Sequence, residues 1–558
     1  MSPIRTRSAR LLGSLTAVAA AGVLVNLPVT PASAVTGTPS ADGSYAYTAR
    51  IAIGDNLRSC TGALVDRSWV VTAASCFTDD PAQPGTVVAG APKWRTTVTV
   101  GRADLTATGQ GATVEVSELL PDPGRTRDVV LARLATPVDG VAPVRVASTA
   151  PTAGQQLRVP GYGRTKTEWS PLRLHSGAFK VDAVRPTALD ATGLDGAAVC
   201  KGDTGAPVLR ETAGGAAELV AVASRSWQGG CFGSTETRTG AVDSRVDDLA
   251  GWIEQVRLST PGWKTRALVR GGADLYQATR FQDGAWTSYE DVQAKAGGIG
   301  GVRTSAVAGI NGDTHVLAQG ANGHLYHTVR NANGTWAGFG DLNTNVGDLG
   351  GITRVAAASI GADLHVVVLA DGQLFHTVRD AAGSWTGFGR VFDATGPLNG
   401  ITSLAVASVG SGLQVAAVSG GKVYHTQRLA DGNWGAWGSV EAAAGVTGPV
   451  GEVALARQGD SVNLAVVTDN GAGVQHTIRF ADGTWQPFRS LNGILGQVTA
   501  TGISAAGVDA DVRFAVDTAD NKVLTVARLA DGNWSAPQAL ATESLPGSHT
   551  GTVLTGTL

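Results

Sequence analysis

Past residue 263 the chain settles into short stretches in which apolar and polar residues alternate, the period-two pattern of strands with one buried face. Leu374-Phe-His-Thr-Val-Arg379 and the matching His324-Leu-Tyr-His-Thr-Val-Arg330 are examples. Tips of the Ala/Asn-Asp-Gly type separate the stretches and read as hairpin turns. The pattern repeats. Trp286, Trp336, Trp385, Trp434, Trp485 and Trp534 are spaced by 50, 49, 49, 51 and 49 residues, each in a similar phrase. Each period holds about four strand-like stretches; in the second copy they are 306–309, 314–319, 324–330 and 336–342.

Four strands per period of roughly 40–50 residues describe one blade of a β-propeller. The first copy starts near Lys264 and lacks its first strand, while Gly551-Thr-Val-Leu-Thr-Gly-Thr557 follows the sixth tryptophan phrase. The expectation is six blades, the first completed by the C-terminus so that no sheet edge stays open; seven blades is the alternative. His327, His376 and His425 recur at matched positions, which points to packing rather than to one catalytic role. The recurrent tryptophans read first as blade core; with Phe339 and Phe388 they are also candidates for stacking on sugar rings. Arg330, Arg379, Arg428 and Arg479 recur as well and are expected on a solvated strand face.

The first half follows other rules. All four cysteines, Cys60, Cys76, Cys200 and Cys231, lie in it, and eight of the nine histidines lie after residue 300. Residues 249–256, with Trp252 and Ile253, read as a short amphipathic helix closing this half, and Ser259-Thr260-Pro261-Gly262 reads as a linker. At the start, Arg5, Arg7 and Arg10 precede an apolar run from Leu11 to about Leu27 that ends in Ala32-Ser33-Ala34, the form of a cleaved secretory signal. The expected organisation is therefore a signal over 1–34, a first domain over 35–257, a linker over 258–263 and a propeller over 264–558.

Composition sharpens this reading. The 558 residues suffice for two or three domains, and 75 glycines with a single methionine suit short strands and tight turns. A net charge of −3 without a basic block argues against a nucleic-acid partner. No later stretch is long enough to span a bilayer, and no metal-ligand spacing or cofactor motif is visible. An even cysteine count in an exported chain implies disulfides, with three pairings open.

Six phrases occur in an order that resembles the chymotrypsin/trypsin family of serine proteases over about residues 35–256. Cys60-Thr-Gly-Ala-Leu-Val-Asp-Arg-Ser-Trp-Val-Val-Thr-Ala-Ala-Ser-Cys76 resembles the segment with the catalytic histidine, and Asp128-Val-Val-Leu-Ala-Arg-Leu134 the aspartate segment. Gly161-Tyr-Gly163 is similar to a family turn, and Cys200-Lys-Gly-Asp-Thr-Gly-Ala-Pro207 to the nucleophile loop. Ser226-Trp227 before Cys231 is similar to the substrate-binding strand, and the closing helix fits too. The resemblance implies an all-β chymotrypsin-like double barrel ahead of the propeller. It implies the pairings Cys60–Cys76 and Cys200–Cys231, each worth on the order of 3 kcal/mol in the chain-entropy account. It also implies that a mature chain beginning at Val35 would pair its ammonium group with Asp203.

The resemblance breaks at the chemistry. A triad needs a nucleophile, a base and an acid that orients the base. Asp128 fills the third role, but Ser75 stands at the base position and Thr204 at the nucleophile position. A serine hydroxyl is too weak a base at neutral pH, and loss of the base costs on the order of a millionfold in turnover. The backbone N–H groups of Gly202 and Thr204 are the implied oxyanion donors, and Ala206 replaces a second glycine of the loop. His175, the sole histidine of this half, is expected as a partly exposed strand residue far from both loops. Ala198 stands at the pocket floor where trypsins carry aspartate, so an apolar floor is expected; Gly240 resembles a pocket wall, and Gln228 stands where it would cover the mouth. The reading is a secreted protease homologue without proteolytic chemistry, its cleft open to peptide or protein and its propeller to glycan or protein. A weak endopeptidase using Thr204 and a purely adhesive protein are the alternatives.

Overall fold

The computed structural model describes residues 38–55, 57–212, 216–445 and 448–558. The signal-like segment and Val35 lie outside the described residues.

The first barrel closes in the order Thr48–Ile53, Arg58–Asp66, Trp69–Thr72, Val130–Leu134, Ala112–Pro121 and Thr96–Val100. Alternation does the sorting: in Thr96–Val100, Val98 and Val100 are buried while Thr97 and Thr99 are half-exposed. Their faces meet Ile51, Ile53, Leu64, Val70 and Ala132 in one core. The second barrel closes through Gln156–Gly161, His175–Val184, Ala188–Gly193, Gly240–Arg245, Ala217–Ser226 and Pro207–Glu211, packing Val159, Phe179, Val181, Leu189, Val208 and Val220. A third cluster, including Trp69, Val71, Leu131, Leu209, Leu219, Val246 and Ile253, lies between the barrels and seats the closing helix. That helix spans Ala250–Ser259 after a 3-10 turn, starting and ending later than the periodicity predicts. The disulfides are Cys60–Cys76 and Cys200–Cys231.

The second half is a propeller of six four-stranded sheets. Its first blade takes its innermost strand, His549–Thr557, from the C-terminus, paired antiparallel with Lys264–Gly271. In blade two the strands are Ser305–Ile310, Asp313–Gln319, Leu325–Arg330 and Gly340–Asp341. The fourth is shorter than the alternation predicts. Trp336 makes one bridge to Arg330 and the chain then leaves the ladder, returning only at Gly340. A short helical turn follows most fourth strands, a feature too brief to carry a periodic signal.

The recurrent aromatic and imidazole groups brace neighbouring blades. His327 meets Trp385 of the next blade edge-on with ring centroids 5.4 Å apart, and His376–Trp434, His425–Trp485 and His476–Trp534 repeat this at 5.6, 5.5 and 5.1 Å. Within each blade the imidazole shares a hydrogen bond with the preceding strand: His315 at 3.0 Å, His365 at 3.1 Å, Gln414 at 2.9 Å and Asn463 at 2.8 Å. The packing role of both residue types follows from this geometry. Arg330 departs from expectation. It is 1% exposed and ion-pairs Glu290 of blade one at 2.9 Å, because its position faces the neighbouring blade.

The two halves meet at the turn before Trp69. Arg257 of the closing helix pairs with Asp66 at 3.0 Å and with Asp283 of blade one at 2.5 Å, and lies over the Phe281 ring. Arg67 donates to Gln282 at 2.6 Å, and the Trp69 indole to Thr260 at 2.7 Å.

Two expectations follow. Burial drives His327, His376, His425 and His476 down to about 3, and His315 and His365 to about 4, from an ordinary 6.5. Unfolded histidines take up protons below 6.5 that the folded ones refuse, so propeller stability is full above that value and is lost as pH falls towards 4. Thermal unfolding at about pH 7 and about pH 5 will show this loss, and His327→Gln with His376→Gln will reduce it; Gln277 already occupies the matched place in blade one. Separately, a Cβ on Gly309 would strike the Gly556 carbonyl oxygen of blade one. Gly309→Ala should therefore destabilise the propeller by about 1–3 kcal/mol in denaturant titration.

Candidate functional site

Three segments from two barrels converge on one polar cluster. Ser75 sits in the 3-10 turn Ala74–Cys76, directly after the strand Trp69–Thr72. Asp128 leads into the strand Val130–Leu134, which pairs with Trp69–Thr72. Asp128 Oδ1 accepts from the Ser75 N–H at 2.6 Å. Its Oδ2 accepts from Ser75 Oγ at 2.8 Å and from Ser224 Oγ at 2.7 Å. The carboxylate, 6% exposed, thus has three donors. The Ser75 hydroxyl is spent on Asp128. Among the described residues Thr204 Oγ1 has no hydrogen-bond partner.

Arg58 secures the Ser75 turn from behind. Its guanidinium donates to the carbonyls of Cys76 at 3.3 Å and Asp79 at 3.2 Å, and more closely to that of Thr78. Thr61, on the same strand, clamps the nucleophile loop. Its N–H donates to the Thr204 carbonyl at 2.9 Å and its hydroxyl to the Gly202 carbonyl at 2.8 Å. Gly205, at φ 85°, lies so close to Thr72 and the Thr61 carbonyl that any side chain would collide.

The loop leaves two backbone donors free. The Arg164 N–H donates to the Lys201 carbonyl at 2.9 Å, which turns the Gly202 N–H of the same trans peptide the opposite way. Among the described residues neither the Gly202 nor the Thr204 N–H meets an acceptor. Behind the loop lies Asp203, fully buried. It accepts from the Gly163 N–H at 2.7 Å and the Cys200 N–H at 2.9 Å. Gly161 and Gly163 are required here, since a Cβ on either would strike the carboxylate. Burial pushes Asp203 up to about 7 against the pull of those two donors.

The region beside the loop has a covered mouth. Gln228 adopts φ 67°, a left-handed conformation costly for a side-chain-bearing residue. Its amide donates to Ser226 Oγ and to the Val199 carbonyl at 3.4 Å, while its oxygen accepts from the Lys201 N–H at 3.0 Å. Ser226 Oγ also donates to the Val199 carbonyl at 2.5 Å. The side chain therefore ties the two walls together. Ala198 is buried beside Cys200 and Cys231. Gly240 packs against the indole of Trp227, which is half-exposed under the Arg238 guanidinium. Deeper in the barrel, Asp243 is buried opposite Ala223 with Oδ1 unpartnered; burial, then the charge of Asp190, raises it to about 8.

Sequence reading and geometry differ at three places. Ser224, two residues before the Ser-Trp pair, is the residue of the substrate-binding strand that meets Asp128. A bulge between Ala223 and Arg225 sets this register, and no composition signal marks it. His175 is buried rather than partly exposed, because its strand lies between Gln156–Gly161 and the short strand Thr38–Pro39; burial lowers its pKa. Asp243 had no counterpart in the sequence reading, though it breaks the apolar pattern of its strand.

Asp243 gives the first half a pH dependence opposite to that of the propeller. Its folded value lies above the ordinary 3.8, so the folded state keeps a proton the unfolded state releases. This contribution is full below 3.8 and is lost as pH rises through about 8. In calorimetry across that range Asp243→Asn should flatten the decline.

The trypsin family sequence model matches residues 34–253. Serine protease 56 of Mus musculus is 28% identical over 254 residues, covering 41% of this chain. The chain in turn spans 39% of that relative's length. With the two closed barrels and both disulfides in place, residues 34–253 form a trypsin-family domain, joined here to a six-bladed β-propeller.

Proposed function

We propose that the protein is a secreted, non-proteolytic member of the trypsin group, whose cleft holds a peptide strand and whose propeller recruits glycan or protein. One observation carries this reading: the hydroxyl at the base position donates to Asp128, leaving Thr204 Oγ1 without a base. An attacking hydroxyl needs a partner that accepts its proton, and a neutral serine committed to a carboxylate cannot serve. The cleft itself argues for retained binding. Its strand edge at Ser224–Ser226 is open, its oxyanion donors are free, and Thr61, Arg58 and Gly205 hold the loops in shape. Those free donors also favour a second reading, residual hydrolysis through Thr204, since such donors and binding alone leave roughly 10³–10⁴ over water.

Secretion and maturation belong to the same proposal. Cleavage after Ala34 would free the Val35 ammonium three residues before Thr38, whose partner Ser176 pairs in turn with Pro160. Gly161, next to Pro160, abuts the Asp203 carboxylate, which has no cation beside it among the described residues. For the propeller, a cleft of about 370 Å³ between blades four and five, lined by Gln414, Gln427, Arg428, Asp460 and Arg479, supports a polar ligand such as a sugar.

The test pairs loss with restoration. Mature protein assayed on casein and on small esters should be inert, and Ser75→His with Thr204→Ser should gain ester hydrolysis. Cleavage by the unmodified protein that Thr204→Ala abolishes would sink the reading. On a glycan array, binding by the full mature chain that Arg428→Ala removes would support the sugar role of the propeller; a blank array would count against it.

A further inference from the structure

Around the covered pocket mouth, unpaired charge of one sign gathers. Lys201, Arg225 and Arg125 are all exposed. Among the described residues none of them has a carboxylate partner. The acids nearest in sequence are already engaged: Asp122 is buried against Arg127, Asp128 accepts from Ser75 and Ser224, Asp203 accepts from the Gly163 and Cys200 N–H groups, and Glu218 pairs with Arg210 at 2.7 Å. Topology brings the three cations together. Arg225 follows Ser224, Arg125 stands three residues before Asp128, and Ser224 and Asp128 share a hydrogen bond. Lys201 lies in the nucleophile loop, with its N–H on the Gln228 side chain. The chain as a whole carries a net charge of −3, so this surplus is local.

The surface beneath these cations is a sheet edge. The strand Ala217–Ser226 pairs along one side with Gly240–Arg245, but on the other with Pro207–Glu211 only as far as Val222. Arg225 and Trp227 face the paired side, with the Trp227 N–H on the Gly240 carbonyl at 3.1 Å. By alternation the N–H and C=O of Ser226 face the open side, a template for one more strand. Gln228 closes the pocket in which a single long side chain would otherwise be read. Recognition therefore passes to the rim.

We propose that the cleft takes an extended acidic peptide segment, its backbone on the Ser226 edge and its alternate carboxylates on Arg225, Arg125 and Lys201; this rests on the peptide-cleft reading above. Complementary charge across such an edge chooses among partners more than it adds raw affinity. An added strand also needs backbone donors and acceptors, which a polyanionic sugar does not offer.

Fluorescence anisotropy with the full mature protein tests this. The probes are three labelled, N-acetylated octapeptides in which alanine alternates with glutamate, glutamine or lysine. The glutamate peptide should bind about tenfold tighter than the glutamine peptide, with the gap shrinking at high salt. Arg125→Glu with Arg225→Glu should abolish that preference and favour the lysine peptide. Ser226→Pro, which removes the edge N–H, should weaken all three alike; circular dichroism melts verify that each variant is folded, and Arg225→Gln serves as the milder substitution. Equal binding of glutamate and glutamine peptides, both weakened by Ser226→Pro, would refute the acidic preference and leave the peptide cleft standing. Glutamate binding untouched by Ser226→Pro, or displaced equally by heparin in both proteins, would refute the placement. No binding by any peptide would refute both readings.

Discussion

Asp128 holds the first half together in a way that does not depend on catalysis. Its carboxylate sits between the two barrels and takes hydrogen bonds from the Ser75 turn on one side and from Ser224 on the other. Removing it would strand buried donors in both barrels, each costing roughly 1–3 kcal/mol. The same holds for Asp203, whose two backbone donors and two glycine neighbours shape the nucleophile loop. An imidazole at position 75 would have had a chemical task and little structural one, since the Ser75 hydroxyl occupies its hydrogen bond to Asp128.

The propeller meets a different constraint, the open edges of a repeated sheet. The C-terminal strand removes the edge between first and last blades, and four imidazole–indole contacts join blades two to six in succession. Where the histidine's partner varies, from His315 and His365 to Gln414 and Asn463, the hydrogen bond persists, so the requirement is a buried polar group satisfied within its blade. That requirement underlies the acid sensitivity expected of the propeller, whereas burial of Asp243 sets the opposite expectation for the barrels.

Repeats and ordered motifs were the legible part of the sequence. A tryptophan period near 49, the missing first strand and the late C-terminal strand together define six blades and their closure. The family phrases define both barrels, the two disulfides and the neighbourhood of Ser75, Asp128 and Thr204. What stayed hidden depends on register and on neighbours distant in sequence. The bulge that brings Ser224 to Asp128 has no compositional signature. The burial of His175 comes from a two-residue strand laid against it, and that of Arg330 from a glutamate of another blade. Gln228 was visible as a departure, but its three hydrogen bonds across the pocket mouth required the walls to be in place.

The join between the halves bears on what the cleft can do. The propeller contacts the turn at Asp66–Trp69 and the closing helix, whereas Ser75 follows the far end of the strand Trp69–Thr72. A strand of four residues separates the junction from the site, and Arg125, Arg225 and Lys201 are exposed to solvent. The junction rests on Arg257, shared between Asp66 and Asp283, and on Trp69 bonded to the linker at Thr260. A partner held by the propeller and a peptide held by the cleft, as proposed above, would meet different surfaces of one chain. Linking two binding surfaces raises the effective concentration of the second contact once the first is made, so under that proposal a cleft of modest affinity would hold whatever the propeller had brought near.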